Sequence, residues 1–244
     1  MNPLPTSKLI SIEKRGRGVV GELIGKHHQF YEDRSRMLSD EIELVRAAAR
    51  GEIFAVFDGV GSAPKGMHAA QKMADELIEF FTAPDEHPAT ENGLETLLLT
   101  ANREITNWGF IPGTYRPVGA CAGSIVWLRD EILTLFHAGD TETWLIDGES
   151  LQRLTPESSG TNTLSQYFGQ GDDLRMDRRQ ISFPDQAKLL LFSDGLRKVI
   201  TRAEVEATLR SKASPELTVQ QLMEKAAANG HPDDVTVMLI TDKT

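Results

Sequence analysis

Two stripes of period 3.6 follow one another in this chain, and four β-type runs then succeed each other with no helix between them. In residues 66–81 the apolar positions Met67, Ala70, Met73, Ala74, Leu77, Ile78 and Phe81 share one helical face, and in residues 93–109 Leu94, Leu97, Leu98, Ala101, Ile105 and Trp108 do the same. Pro84, Pro88 and Thr90 separate the two, with Thr90 an N-cap for the second. Residues 119–128, 132–138, 143–146 and 151–154 then read as a β-meander, joined by the hairpin connectors Arg129-Asp130-Glu131 and Asp147-Gly148-Glu149. Further strands are expected at 8–14 and 19–23, a hairpin turning on Gly16 and Gly18, and at 53–57, 178–183, 188–192 and 235–240. Residues 41–50 have helical propensity but read equally as loop and strand. The capping boxes Thr201…Glu204 and Thr218…Gln221 predict the starts of two short helices. Strands grouped with strands, and helices with helices, point to an α+β layered sheet rather than a βαβ succession. With 244 residues, 40% of them apolar, one sizeable core and a single domain over 1–244 are expected.

Charge narrows the partners. Against 26 basic residues stand 36 acidic ones, a net charge of -10 that repels phosphate backbones, so no nucleic-acid partner is expected. Cys121 is the single cysteine, so no internal disulfide can form. The first eighteen residues lack the apolar core of a signal peptide, and no run has the length of a bilayer span. A cytoplasmic protein with no membrane partner is the expectation.

The chemistry is suggested by acidic residues at the ends of apolar runs. Asp58 follows FAVF, Asp140 follows LFHAG, Asp194 follows LLLFS, and Asp233 with Asp234 precedes VTVMLI, while Glu32 and Asp33 come from an earlier polar stretch. Two of these runs, residues 53–57 and 189–193, stop on Asp-Gly, which reads as a sharp bend that exposes a glycine carbonyl. Carboxylates brought together raise each other's pKa and destabilise the fold unless cations neutralise them. Oxygen-only donors, without Cys or His at zinc spacing, select hard ions such as Mg²⁺ or Mn²⁺. Two such ions about 3.5–4 Å apart can activate a water for in-line phosphoryl displacement.

In their order, the pieces YEDR (31–34), FAVFDGVGSAPKG (54–66), GACAGSIVWL (119–128), FHAGDTETWLI (136–146), LLLFSDGLRKVI (189–200) and HPDDVTVMLI (231–240) resemble the metal-dependent protein phosphatases of the protein phosphatase 2C type, in their compact bacterial form. The resemblance covers essentially the whole chain. It implies a four-layer α/β/β/α sandwich with two central antiparallel sheets. It also implies two Mn²⁺ or Mg²⁺ ions and hydrolysis of phosphoserine and phosphothreonine by a metal-bridging hydroxide, in bacterial signalling. The partner implied is a phosphorylated protein, such as a cognate Ser/Thr kinase or its targets. Carried over by position, Asp58 bridges both metals, Glu32 and the Gly59 carbonyl serve one, and Asp194 and Asp233 hold the other. Asp140 corresponds to a ligand of a weaker third ion, and Asp33 to a residue that hydrogen-bonds metal-bound water. Three positions depart from the pattern. His28 stands where many members have a phosphate-gripping arginine, leaving His28 or Arg34 as substrate-binding cation; Val60 stands where some carry a histidine; and Asp233-Asp234 replaces Asp-Asn, with Asp233 favoured as the ligand.

Other prominent residues read as structural: His137 as a core or edge histidine, His231 as a turn residue, Met67 and Met73 as core, Cys121 as buried and inert. Two rival functions remain at this level. One is a catalytically weak regulatory module that binds a phosphorylated partner, suggested by His28 and Val60; the other is a different two-metal hydrolase such as a phosphodiesterase.

Overall fold

The computed structural model of the protein describes residues 10–157 and 165–242. Lys8 and Leu9 of the expected first strand, and residues 158–164 of the polar segment 155–173, lie outside them.

Among the described residues, eleven strands form two antiparallel sheets. One is ordered β1 (Ile10–Arg15), β2 (Gly18–Leu23), β11 (Val235–Thr241), β10 (Lys188–Phe192), β7 (Glu142–Asp147), β8 (Ser150–Arg153). The other is ordered β3 (Arg34–Leu38), β4 (Glu52–Gly59), β5 (Cys121–Arg129), β6 (Ile132–Ala138), β9 (Asp177–Ser182). Between the sheets, Phe54, Val56, Val126 and Leu135 meet Val20, Leu189, Leu191 and Met238. The alternate residues of the same strands face outward under helices. Ile53, Ala55, Phe57 and Ile125 pack with α2 (Gly66–Glu76) and α4 (Glu91–Thr106), while Leu190, Phe192, Val237 and Leu239 pack with α6 (Arg202–Leu209) and α7 (Pro215–Ala228). Covering both faces of a strand explains why FAVF and LLLF are apolar without a break. The result is the α/β/β/α sandwich, an α+β fold.

Several local expectations are corrected. The 53–57 run does not stop on Asp58-Gly59: β4 continues through both, pairing Asp58 with Ala122 and Gly59 with Cys121. The four runs from 119 to 154 are not one meander, because β5–β6 and β7–β8 are hairpins of different sheets. The chain changes sheets at Gly139, whose φ of 107° suits glycine. The helix expected over 66–81 breaks after Glu76, and a short α3 (Glu79–Thr82) follows. The break lets both Phe80 and Phe81 enter the core, where Phe80 meets Trp127 edge-on at 5.4 Å. Residues 43–48 are helix α1 (Glu43–Ala48) rather than strand.

The Thr201–Glu204 capping box forms in full. The second box does not open its helix. Ser214 caps α7 by accepting from the backbone N–H of Leu217, Pro215 takes the first turn, and Thr218 lies inside the helix, donating its hydroxyl to the Ser214 carbonyl.

Candidate active site

A cleft of about 550 Å³ opens where strand ends of both sheets meet. Glu32 reaches it from the loop between β2 and β3, Asp58 and Gly59 from the end of β4, and Asp140 from the crossing between β6 and β7. Asp194 comes from the first turn of α5 (Asp194–Val199), a helix the sequence reading did not anticipate, and Asp233 from the loop entering β11. A second cleft of about 560 Å³ is lined by residues of mixed sign, including an Arg17–Glu52 pair at 2.8 Å. Only the first gathers the strand-end carboxylates.

Close backbone packing brings these loops together. A Cβ on Gly195 would lie 1.9 Å from the Asp234 carbonyl oxygen, and one on Gly59 would lie 2.7 Å from that of Glu32. Both glycines are required by proximity, not by a positive φ. Asp234 is the clamp: it is buried, and its carboxylate accepts from the backbone N–H of Gly25 at 2.6 Å and of Glu32 at 2.5 Å. The two adjacent aspartates thus part company, Asp233 on the cleft and Asp234 inside the protein.

The electrostatics follow from crowding. Burial first, then the charges of Asp33, Asp194, Asp140 and Asp233, hold the Asp58 pKa well above the usual carboxylate range. Burial also raises Asp33 to about 8, against the opposing effect of hydrogen bonds from Thr236 and Ser193. Burial and the Asp194 charge raise Asp140 to about 6. Glu32 is raised by burial, with His28 opposing. Hard oxygen donors carrying this much mutual repulsion fit divalent cations in both chemistry and charge. Among the described residues, however, no three acidic, imidazole or thiol side chains are already grouped for a metal ion. Lys198 stands between two of the acids. Its Nζ is 2.7 Å from Asp194 and 2.5 Å from Asp233, and although partial burial opposes its charge, these bonds raise its pKa.

Two predicted site residues do not line the cleft. Asp33 is buried and accepts the Thr236 hydroxyl at 2.6 Å. The Arg34 guanidinium donates to the carbonyls of Tyr31 and Asp33 and to Gln71, so it braces the loop instead of offering a substrate contact. His28 does line the cleft, but Nε2 lies 3.5 Å from Asp233 and Nδ1 3.1 Å from Asp234. Unforeseen on the cleft are Lys198, Arg116, which donates to the Ser62 carbonyl at 2.7 Å, and Tyr115 and Tyr167. His137 is buried within 3.0 Å of the Ser124 hydroxyl, and burial lowers its pKa to about 4, as suits a neutral core histidine.

The raised acids give a pH prediction for the metal-free protein. Asp33 and Asp140 titrate near 3.8 when unfolded, but at about 8 and about 6 when folded. Below 3.8 both states hold the protons, whereas above it the unfolded chain releases them first. Stability therefore falls with pH until the folded values are passed. In chelator, the melting temperature should drop by several degrees between about pH 5 and about pH 8. A melting temperature that rises over that interval contradicts this electrostatic account.

The sandwich is the fold of the metal-dependent protein phosphatases of the protein phosphatase 2C type. More particularly, residues 49–242 match the family model described as stage II sporulation protein E (SpoIIE), and the chain belongs to that family. It is 23% identical to the serine/threonine phosphatase Stp of Listeria innocua, over 88% of this chain and 95% of the relative. In fold it is similar to the Stp1 serine/threonine phosphatase of Staphylococcus aureus, with a TM-score of 0.78 and 19% identity over 95% of this chain and 96% of the other. It is also similar to the catalytic domain of the serine/threonine protein phosphatase PstP, solved with two manganese ions. That match has a TM-score of 0.72 and 18% identity, over 92% of this chain and 97% of the other. No helix among the described residues is long and apolar enough to cross a membrane.

Proposed function

We propose that this chain hydrolyses phosphoserine and phosphothreonine esters of proteins, in signalling opposed to a kinase. The observation that carries this reading is the convergence of Glu32, Asp58, Asp140, Asp194 and Asp233 on one cleft from five separate segments. Asp58, crowded by the most carboxylates, would be the ligand shared by two ions. Glu32 and the Gly59 carbonyl would complete one set, Asp194 and Asp233 the other, and Asp140, beside Asp194, would offer a third position. Bound Mn²⁺ or Mg²⁺ would neutralise the acids and supply an activated water at the phosphorus.

The chain's own groups do the rest. Asp33, buried and bonded to Thr236, holds a proton close to Asp58 near neutral pH in the metal-free state. Arg116 brings a guanidinium to the cleft where the substrate's phosphate enters, a role that sequence position had suggested for His28 or Arg34. The walls contributed by Tyr115 and Tyr167 give the peptide backbone and side chains something to lie against.

The test is hydrolysis of a phosphothreonine peptide and of p-nitrophenyl phosphate with Mn²⁺, with Mg²⁺ and with chelator, beside Asp194→Asn. Metal-dependent turnover that disappears in the variant is expected. Binding of the phosphopeptide with no turnover under any metal would overturn the enzyme reading in favour of a phosphoprotein-binding module.

A further inference from the structure

Lys198 lies one helical turn after Asp194 on α5, and its ammonium reaches both oxygens of that carboxylate, at 2.8 and 2.7 Å. The same ammonium is 2.5 Å from Asp233, thirty-five residues away in sequence. These are the two acids assigned above to a single ion. A divalent ion held by them at about 2.0–2.2 Å must lie in the space between the two carboxylates. That space already holds a positive charge. The neighbouring Arg197 pairs with Glu142 at 3.3 Å and acts on Asp140 as a nearby charge.

The pairing is built to be broken. The Lys198 side chain is 42% exposed and hangs on a flexible four-carbon stem, while Asp194 is 14% and Asp233 33% exposed. An ammonium so placed can leave for solvent when a doubly charged competitor arrives, without unfolding any element. Asp140 feels the same ammonium as a charge, whereas the direct contacts of Lys198 are to Asp194 and Asp233.

We propose that Lys198 is a tethered cation that holds Asp194 and Asp233 together in the metal-free protein and competes with the divalent ion for that pair. One ion then binds readily at Glu32, Asp58 and Gly59. The second enters only at a concentration high enough to displace the lysine. The protein thereby acquires a threshold in divalent-ion concentration set by its own side chain. This inference rests on the assignment of Asp194 and Asp233 as ligands.

Calorimetric titration of Mn²⁺ into chelator-stripped protein tests it without reference to turnover. The wild type should take up one equivalent, and a second at least about tenfold more weakly, a gap of roughly 1.4 kcal/mol. Lys198→Met should bind two equivalents, with the second dissociation constant lowered about tenfold or more, and Lys198→Arg should remain like wild type. Without metal, Lys198→Met should melt below wild type near pH 8, and its gain on saturation with Mn²⁺ should be the larger. Equal second-site affinities in wild type and Lys198→Met, with equal stoichiometry, overturn the proposal while leaving the metal site intact. No Mn²⁺ uptake by either protein overturns the ligand assignment itself, and the lysine proposal with it.

Discussion

Asp58→Asn is expected to remove metal-dependent phosphatase activity and, at the same time, to raise the melting temperature of the metal-free protein. The loss should be about a thousandfold or more, beyond the roughly 10–100-fold that follows loss of a group merely supporting a ligand. The gain in stability has the same origin. Burial and four other aspartates all disfavour the charged form of Asp58, so in the absence of cations it stands among repulsions. Asparagine keeps the size and ionises in neither the folded nor the unfolded chain, so the cost of protonating or crowding this carboxyl disappears. Relief on the order of 1–3 kcal/mol is expected, and in a chain of this length it moves the melting point by roughly 2–12 °C. Melting curves in chelator, taken beside activity with Mn²⁺, give both readouts. Retained turnover would remove Asp58 from the site, and a lower metal-free melting point would mean the crowded carboxylate is satisfied in a way the electrostatics do not describe.

The same acids show how far the fold could be read in advance. Runs such as FAVF and LLLF were legible because a strand covered on both faces must be apolar at every position, and helix α4 because Thr90 caps a clean stripe. β3 escaped notice because RSRML has no apolar alternation: it is a sheet edge, with Arg34 and Arg36 bonded to α2 rather than buried in a core. α5 escaped because six residues are too few to display a period. The division of the expected meander is of another kind. Gly139 announces a turn, but local sequence does not say which sheet the next strand will join.

At the site, Asp58, Asp140, Asp194 and Asp233 could be found because each adjoins an apolar run, and the run supplies the address; Glu32, in a polar stretch, was marked only by its place in the motif order. Cations could not. Lys198 becomes visible only once α5 fixes its phase relative to Asp194 and the fold brings Asp233 alongside. Arg116 sits in a loop with no motif to mark it. Arg34 shows the converse: it was a candidate to replace the phosphate-gripping arginine that the family pattern has at the His28 position, while its guanidinium is taken up by backbone carbonyls of its own loop. The separation of Asp233 from Asp234 likewise depends on two distant donors, the backbone N–H groups of Gly25 and Glu32.

Gly195→Ala sets two effects of opposite sign against each other. Gly195 lies in the first turn of α5, where alanine on intrinsic propensity should stabilise by up to about 1 kcal/mol. Its Cβ, however, would be 1.9 Å from the carbonyl oxygen of Asp234 and 3.0 Å from that residue's carbonyl carbon. Backbone cannot rotate aside as a side chain does, and Asp234 cannot retreat without stretching its bonds to Gly25 and Glu32. Overpacking against a fixed partner, with one buried and one part-buried hydrogen bond weakened, should outweigh propensity and destabilise by ~2–4 kcal/mol net. That corresponds to a fall of roughly 4–16 °C in melting temperature. Activity should fall further than stability, because the contact that is forced apart is the one that sets Asp194 beside Asp233. Assay at saturating Mn²⁺, well below the variant's melting point, separates the two losses. An alanine variant that melts at or above wild type would show that α5 and the Asp233-Asp234 loop are not in the close contact on which the proposed pairing of Asp194 with Asp233 depends.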